Sequence, residues 1–340
     1  MPYITSNRGN EMNKCKPIFK SVLSAIALSI FVVGNSYAAK VYENEDTELQ
    51  VNVTLGGTYQ SEKDSEGEAR TELSGNTSYN QVEFLGIKKV GEYEIFGEIE
   101  IDFDPFEDSS ATKTDDTKIG VKGPFGRIRG GQFDNYFEDK IAEALDTGSK
   151  YSLSEPKSGM DEDHLQYTKK FGDLELNIDL TIQGDRESET IDDSAETGKT
   201  VSIAYKISDN LKLYAGIDDV DETNGDKGTA FSHDKTTGFA LAYKTGELEF
   251  KFRHAEQEEL DGNDIDYTGA GVFYDAGKSE YNFAFQEVDD SDSAVDSRTE
   301  LAFNWAYSLF PNVKTDVDLI VRDKENDEGD GVAFSIRYKF

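Results

Sequence analysis

The chain has 340 residues, 36% of them hydrophobic, with 69 acidic against 35 basic residues and a formal net charge of −34. Such an acidic excess argues against a nucleic-acid partner, because a polyanion would be repelled. The single cysteine, Cys15, rules out a disulfide framework within one chain, and an 11% aromatic content argues against the disorder common in acidic chains.

The first element is a targeting segment. Lys14, Lys16 and Lys20 precede an apolar stretch from Val22 to Val33, followed by Ser36-Tyr37-Ala38. This is the basic region, hydrophobic region and small-x-small cleavage site of a secretory signal peptide. The apolar run is about 12 residues, too short to span a bilayer as a helix. Residues 1–38 are therefore expected to be a signal peptide, with Met12 as an alternative start. Cleavage after Ala38 leaves 340 less 38, or 302 residues, and removes Arg8, Lys14, Lys16, Lys20 and Glu11, taking the net charge to −37. Cys15 leaves with the signal.

From residue 39 to 340 the chain alternates with period two. Leu49, Val51, Val53 and Leu55 interleave with Gln50, Asn52 and Thr54; Leu174, Leu176, Ile178, Leu180 and Ile182 interleave with Glu175, Asn177, Asp179 and Thr181; Val313, Thr315, Val317, Leu319 and Val321 interleave with Lys314, Asp316 and Asp318. Successive strand side chains point to opposite faces, so each stretch has one apolar and one polar face. Sixteen such segments lie near 48–60, 80–90, 92–104, 116–122, 126–132, 164–170, 173–183, 199–207, 211–219, 235–244, 246–256, 264–275, 277–288, 297–309, 312–322 and 331–340.

Short connections such as Thr245-Gly246 and Ala276-Gly277 alternate with long acidic ones such as Gly184–Gly198, Asp219–Asp234 and Asp289–Ser297. Short turns at one end and long polar loops at the other characterise outer-membrane barrels. Lipid leaves no backbone group unpaired, so alternating strands must close into a ring. The predicted fold is all-β: a transmembrane antiparallel up-and-down barrel of 16 strands, with the apolar face turned to lipid. Tyr59, Tyr93, Tyr205, Tyr243, Phe283, Trp305, Tyr307 and Tyr338 fall on outward positions, and those near strand ends suit interfacial aromatic girdles. Phe96 and Tyr214 are the inward exceptions by parity.

Lys118-Ile-Gly-Val-Lys-Gly-Pro-Phe-Gly126, running into Arg127-Ile-Arg-Gly-Gly-Gln132, resembles the fourth hairpin of the general Gram-negative porins. Val82-Glu-Phe-Leu-Gly-Ile-Lys88 is similar to their second strand, and Val332-Ala-Phe-Ser-Ile-Arg-Tyr-Lys-Phe340 to their closing strand. The resemblance covers 39–340. It implies a homotrimer of 16-stranded barrels in the outer membrane, each barrel with its own diffusion pore. Lipid and lipopolysaccharide are then the surrounding partners, and the terminal Tyr338 and Phe340 serve as the signal read by the barrel-assembly machinery.

The resemblance also implies that the loop after the fifth strand, Phe133 to about Asp163, folds into the lumen and narrows it, with a helical turn within Asn135–Leu145. Glu138, Asp139, Glu143 and Asp146 are its constriction candidates. The facing wall departs from the basic pattern of the family. Glu83, Gly131 and Thr168 stand where basic residues are usual, leaving Arg127 and Arg129, with Lys170 on the face of Thr168. Glu94, Glu98, Glu100 and Asp102 fall on the inward face of the third strand. Excess lumenal carboxylate concentrates cations and excludes anions, so a cation-selective pore is expected.

Two rivals belong to other classes. A substrate-specific sugar channel needs aromatic side chains along the lumen, whereas most here face outward. An outer-membrane barrel enzyme needs a catalytic constellation; spacing leaves a Ser/His pairing open, but His164, His233 and His254 lie in no motif and show no ligand spacing, and nothing flags a catalytic serine. No catalytic residue, cofactor or metal site is expected. The clusters Asp192-Asp193, Asp218–Asp221, Asp289–Asp292 and Glu325–Asp330 lack the spacing of a calcium loop.

Overall fold

The computed structural model describes residues 39–64, 66–74, 80–103, 112–148, 150–158, 164–182, 197–221, 233–259, 262–291, 297–323 and 329–340. The expected signal peptide and the tips of most acidic loops lie outside these residues.

Eighteen strands are described, in chain order: β1 Ala39–Glu43, β2 Thr47–Lys63, β3 Ala69–Ser74, β4 Gln81–Val90, β5 Tyr93–Phe103, β6 Thr112–Gly123, β7 Gly126–Gln132, β8 His164–Phe171, β9 Leu174–Ile182, β10 Thr197–Lys206, β11 Leu211–Asp221, β12 His233–Thr245, β13 Leu248–Glu259, β14 Asp264–Asp275, β15 Ser279–Asp290, β16 Arg298–Phe310, β17 Val313–Arg322 and β18 Gly331–Lys339. β2 and β4 to β18 pair antiparallel, each with the next, and β18 returns to β2 through Arg337↔Gly56 and Ser335↔Thr58. These sixteen staves form a closed barrel, as the alternation predicts. Most have the roughly 9–11 residues needed to cross a bilayer at a tilt.

The two additional strands are short. β3 continues the edge above β4, pairing with Thr58–Lys63 of β2, while β4 takes Thr47–Thr54. β1 pairs with Glu48–Val51 on the edge where β18 stops, and the backbone of Phe340 exchanges both hydrogen bonds with Val53, at 2.7 and 2.8 Å. Both chain ends thus seal one seam. Alternation does not reveal either strand, since each is only five or six residues long and neither forms a full stave.

Register fixes the faces. Phe84, Ile95, Ile99, Ile119, Val201, Phe283, Leu319 and Val332 are exposed on the outside. The intervening polar positions, among them Gln166, Asn177, Asp179, Thr200, Gln257 and Asp318, are buried inside. Aromatic rings flank the short turns on the outer surface: Tyr93 with Phe125, Tyr243 with Phe250, Tyr274 with Tyr281 and Tyr338 with Phe340, at centroid separations of 5.3 to 6.5 Å. Gly91 and Gly246 start two of these turns at φ of 62° and 59°, a region that L side chains rarely adopt. Among the described residues no helix is long and apolar enough to cross a membrane.

Candidate functional site

The long segment after β7, the fifth stave, runs along the inner wall. From Glu138 to Ala142 it forms a single π-helical turn, inside the range where a helical turn is expected. Its apolar residues Phe137, Ile141, Ala142 and Leu145 are buried, while Asp134, Asp139, Lys140 and Asp146 are exposed on the other side. The turn is therefore amphipathic, with its apolar edge against the barrel and its acidic edge toward open lumen.

Side chains from five staves hold this segment. Thr236 of β12 donates to the Lys157 carbonyl at 2.6 Å, and the Lys157 amide donates to Gln257 of β13, also at 2.6 Å. Asn282 of β15 donates to the Thr147 carbonyl at 2.9 Å, and Arg322 of β17 reaches the Ser152 carbonyl at 3.3 Å. The strongest anchorage is at Ser154. Its amide and hydroxyl donate to the buried Glu300 of β16 at 2.7 and 2.6 Å, and its carbonyl accepts from Arg253 at 3.0 Å and Gln286 at 2.7 Å. Arg298 and Arg322 flank Glu300 at 2.8 and 3.6 Å. Arg253, fully buried, also donates to the Ala142 carbonyl and to Gln286. Hydrogen bonds to charged groups contribute about 1.5–3 kcal/mol each. Parity alone places Arg253 and Glu300 inward, but nothing in the sequence connects either to a loop some 100 or more residues away.

The four acidic candidates of this loop do not share one role. Glu138 turns sideways and accepts from Ser158 at 2.9 Å. Asp139 is exposed, 4.0 Å from Lys140. Asp146 accepts from the Gly148 amide at 3.1 Å, and although its edge is open to the lumen, the surrounding wall crowds it enough to push its pKa up. Glu143 is pushed up to about 8, first by burial and then by the nearby Glu155, Asp134, Asp146 and Asp139. Glu155, which the sequence reading leaves out, is pushed up to about 7 by burial and by Asp146.

On the wall, Glu83 of β4 and Glu100 of β5 stand directly opposite each other, and Glu83 accepts from Asn52 at 2.6 Å. Glu98 is tied to Lys118 at 2.8 Å, and Lys170 to Glu175 at 3.0 Å. Arg127 and Arg129 both donate to the side-chain Oε1 of Gln166, at 3.1 and 2.8 Å, and the Arg129 guanidinium lies 3.8 Å over the Phe133 ring. The basic side of the wall is larger than alternation credits. Lys118 pairs in register with Gly131, and Lys122 with Arg127, so these two β6 lysines share the inward face of Arg127 and Arg129.

The inward aromatics also exceed the two expected. Tyr267 pairs with Ala255 and Phe273 with Glu249, both on the lumenal face, and Lys251 lies 4.2 Å over the Phe273 ring. Their strand is apolar on both parities at this point, so alternation cannot assign its faces, and only pairing with β13 and β15 does.

A closed sixteen-stave barrel with an apolar exterior, an aromatic rim and a charged lumen defines the class of outer-membrane channels. The model of the Gram-negative porin family matches residues 24–329, and the chain belongs to that family. Relatives include a protein named monosaccharide porin from a Halomonas species and the major outer membrane protein of Halomonas elongata. Each is 23% identical over 94% of this chain and all of the relative. Similar solved structures include the anion-selective porin from Comamonas acidovorans, with TM-score 0.66, 14% identity, and 87% of this chain and all of that one covered. Salmonella typhi OmpF, solved in complex with daunomycin, has TM-score 0.69 and 14% identity, with 89% and 100% covered. The chain is thus an outer-membrane porin, a channel for passive diffusion.

Proposed function

We propose that residues 1–38 are removed on export and that the mature barrel forms a homotrimer, each subunit holding a water-filled pore for small hydrophilic solutes that favours cations over anions. The observation that carries the preference is the exposed Asp139 and Asp146 on the inner loop, together with the facing pair Glu83 and Glu100, with half-buried Glu143 adding its charge only as pH rises toward about 8. Beside that pair, on β6 and β7, Lys122, Arg127 and Arg129 supply the basic side of the lumen, while Lys118 is paired with Glu98 and Asp116. Two of the wall acids, Glu98 and Glu175, are held by lysines, and on the loop Asp139 lies 4.0 Å from Lys140. Exposed charges beyond about 8–10 Å are screened by salt, which leaves these lumenal groups to decide selectivity.

Reversal potentials of the purified protein in a planar bilayer under a KCl gradient test this reading. A potential with the sign of potassium permeation is expected, and chloride preference would refute it.

A second reading is a channel tuned to sugars. Phe96, Tyr214 and Phe273 line the lumen, the Tyr136 hydroxyl on the loop bonds Glu175 on the wall, and one relative carries the name monosaccharide porin. Liposome swelling with sugars of graded size separates the two, since a tuned channel does not sort by size alone.

A further inference from the structure

The apolar edge of the inner loop meets the barrel as knobs over sockets. Phe137, Ile141 and Leu145, spaced four residues apart, are wholly buried. They rest over Gly216 of β11, Gly238 of β12 and Gly269 of β14. A Cβ at these glycines would lie 2.8 Å from Phe137 Cδ2, 3.0 Å from Ile141 Cγ2 and 2.6 Å from Leu145 Cδ1. Tyr151 covers Gly331 of β18 in the same manner, where a Cβ would lie 2.6 Å from its Cζ and 2.8 Å from its Oη. None of the four glycines adopts a left-handed φ. Their φ values do not demand glycine, and glycine in a strand interior weakens the strand, although at Gly216, Gly238 and Gly269 a carbonyl of the neighbouring strand also lies 2.6–3.2 Å from a Cβ. Buried Ala240, Ala255, Ala284, Ala302 and Ala333 keep the rest of this seat low. The wall of β4 to β8 carries long charged side chains instead.

We propose that Gly216, Gly238, Gly269 and Gly331 are positioning residues that set how far the loop stands off the wall, and hence the size limit of the pore. This rests on the diffusion-pore reading. Packed interiors do not absorb an added methyl without a shift, and the loop, held by side chains of β12, β13 and β15 to β17, yields toward the lumen. Gly331 isolates the effect, because all three atoms nearest its missing Cβ belong to Tyr151. At the other three sockets an atom of the barrel itself lies as close or closer: Ser202 Oγ at 2.6 Å for Gly216, Ala255 Cβ at 2.9 Å for Gly238 and the Phe285 carbonyl at 2.6 Å for Gly269.

The test uses the full chain with Gly331→Ala, Tyr151→Ala, the double variant, and Tyr151→Trp, each checked for heat-modifiable migration as a sign of assembly. Single-channel conductance and swelling rates with graded sugars are then measured. Gly331→Ala and Tyr151→Trp are expected to lower unit conductance and the sugar size limit, and Tyr151→Ala to restore the Gly331→Ala channel to the wild-type value. Tyr151→Trp leaves every wall residue unchanged, so it remains informative if Gly331→Ala fails to assemble. An assembled Gly331→Ala or Tyr151→Trp protein with wild-type conductance overturns the proposal, as does a double variant as narrow as Gly331→Ala. If the unmodified protein opens no channel, the pore reading itself has failed.

Discussion

At the scale of single residues, the loop carboxylates tie the pore to pH. Glu143 and Glu155, raised to about 8 and about 7 from an ordinary 4.5 by burial and mutual repulsion, keep their protons well above the usual carboxylate range. The acidic edge therefore gains charge as pH rises through neutrality. Potassium preference, read from reversal potentials, is predicted to increase from about pH 6 to about pH 9, and Glu143→Gln to remove the upper part of that rise. A selectivity ratio flat across this range in the parent protein would count against the assignment. The same shifts have a stability sign. The folded chain binds these protons more tightly than the unfolded one, so the contribution is full below about 4.5 and is lost as pH climbs to about 8. Lys140, Lys251 and Arg253 face the cluster and limit the loss.

At the scale of the element, β18 shows what alternation can and cannot deliver. Val332, Phe334, Ile336, Tyr338 and Phe340 form one outward face, and the pairing of this strand with 48–60 is legible because a closed barrel leaves the last strand no other partner. Phe340 ends that face 5.3 Å from the Tyr338 ring and bonds Val53 on both sides of its peptide. Deleting Phe340 is predicted to lower the amount of assembled protein in the outer membrane before it alters unit conductance; unchanged membrane levels would contradict this. The sixteen staves were readable because one face of each had to be apolar. The seat of the loop was not. Gly216, Gly238 and Gly269 look like indifferent strand glycines until Phe137, Ile141 and Leu145 are placed over them. Arg253 and Glu300 look like two more lumenal charges until Ser154 arrives between them. Contacts between a loop and a distant wall leave no period in the sequence, and where both parities of a strand carry apolar residues, as around Tyr267 and Phe273, period two is silent even about the face.

At the scale of the whole molecule, the wall divides into a low seat of small residues under the loop and a charged arc on β4 to β8 beside the open path. In the proposed trimer three pores enter the membrane together and conduct separately, so single-channel records of the native protein are predicted to show conductance steps in triplets. Uniform single steps would argue for a lone barrel. The seam between β2 and β18 has a further consequence in time. The Thr58 and Ser335 hydroxyls that meet there at 2.9 Å are 277 residues apart. Joining such distant points costs about 5 kcal/mol of chain entropy, by the (3/2)RT ln n rule. That cost is modest beside a full ladder of hydrogen bonds, yet none of it is recovered until the final strand is in register. Until then the nascent sheet offers two raw edges able to pair with any extended chain nearby. The fold is therefore vulnerable through the interval before closure, when all but one of its ladders exist and the sheet is still open.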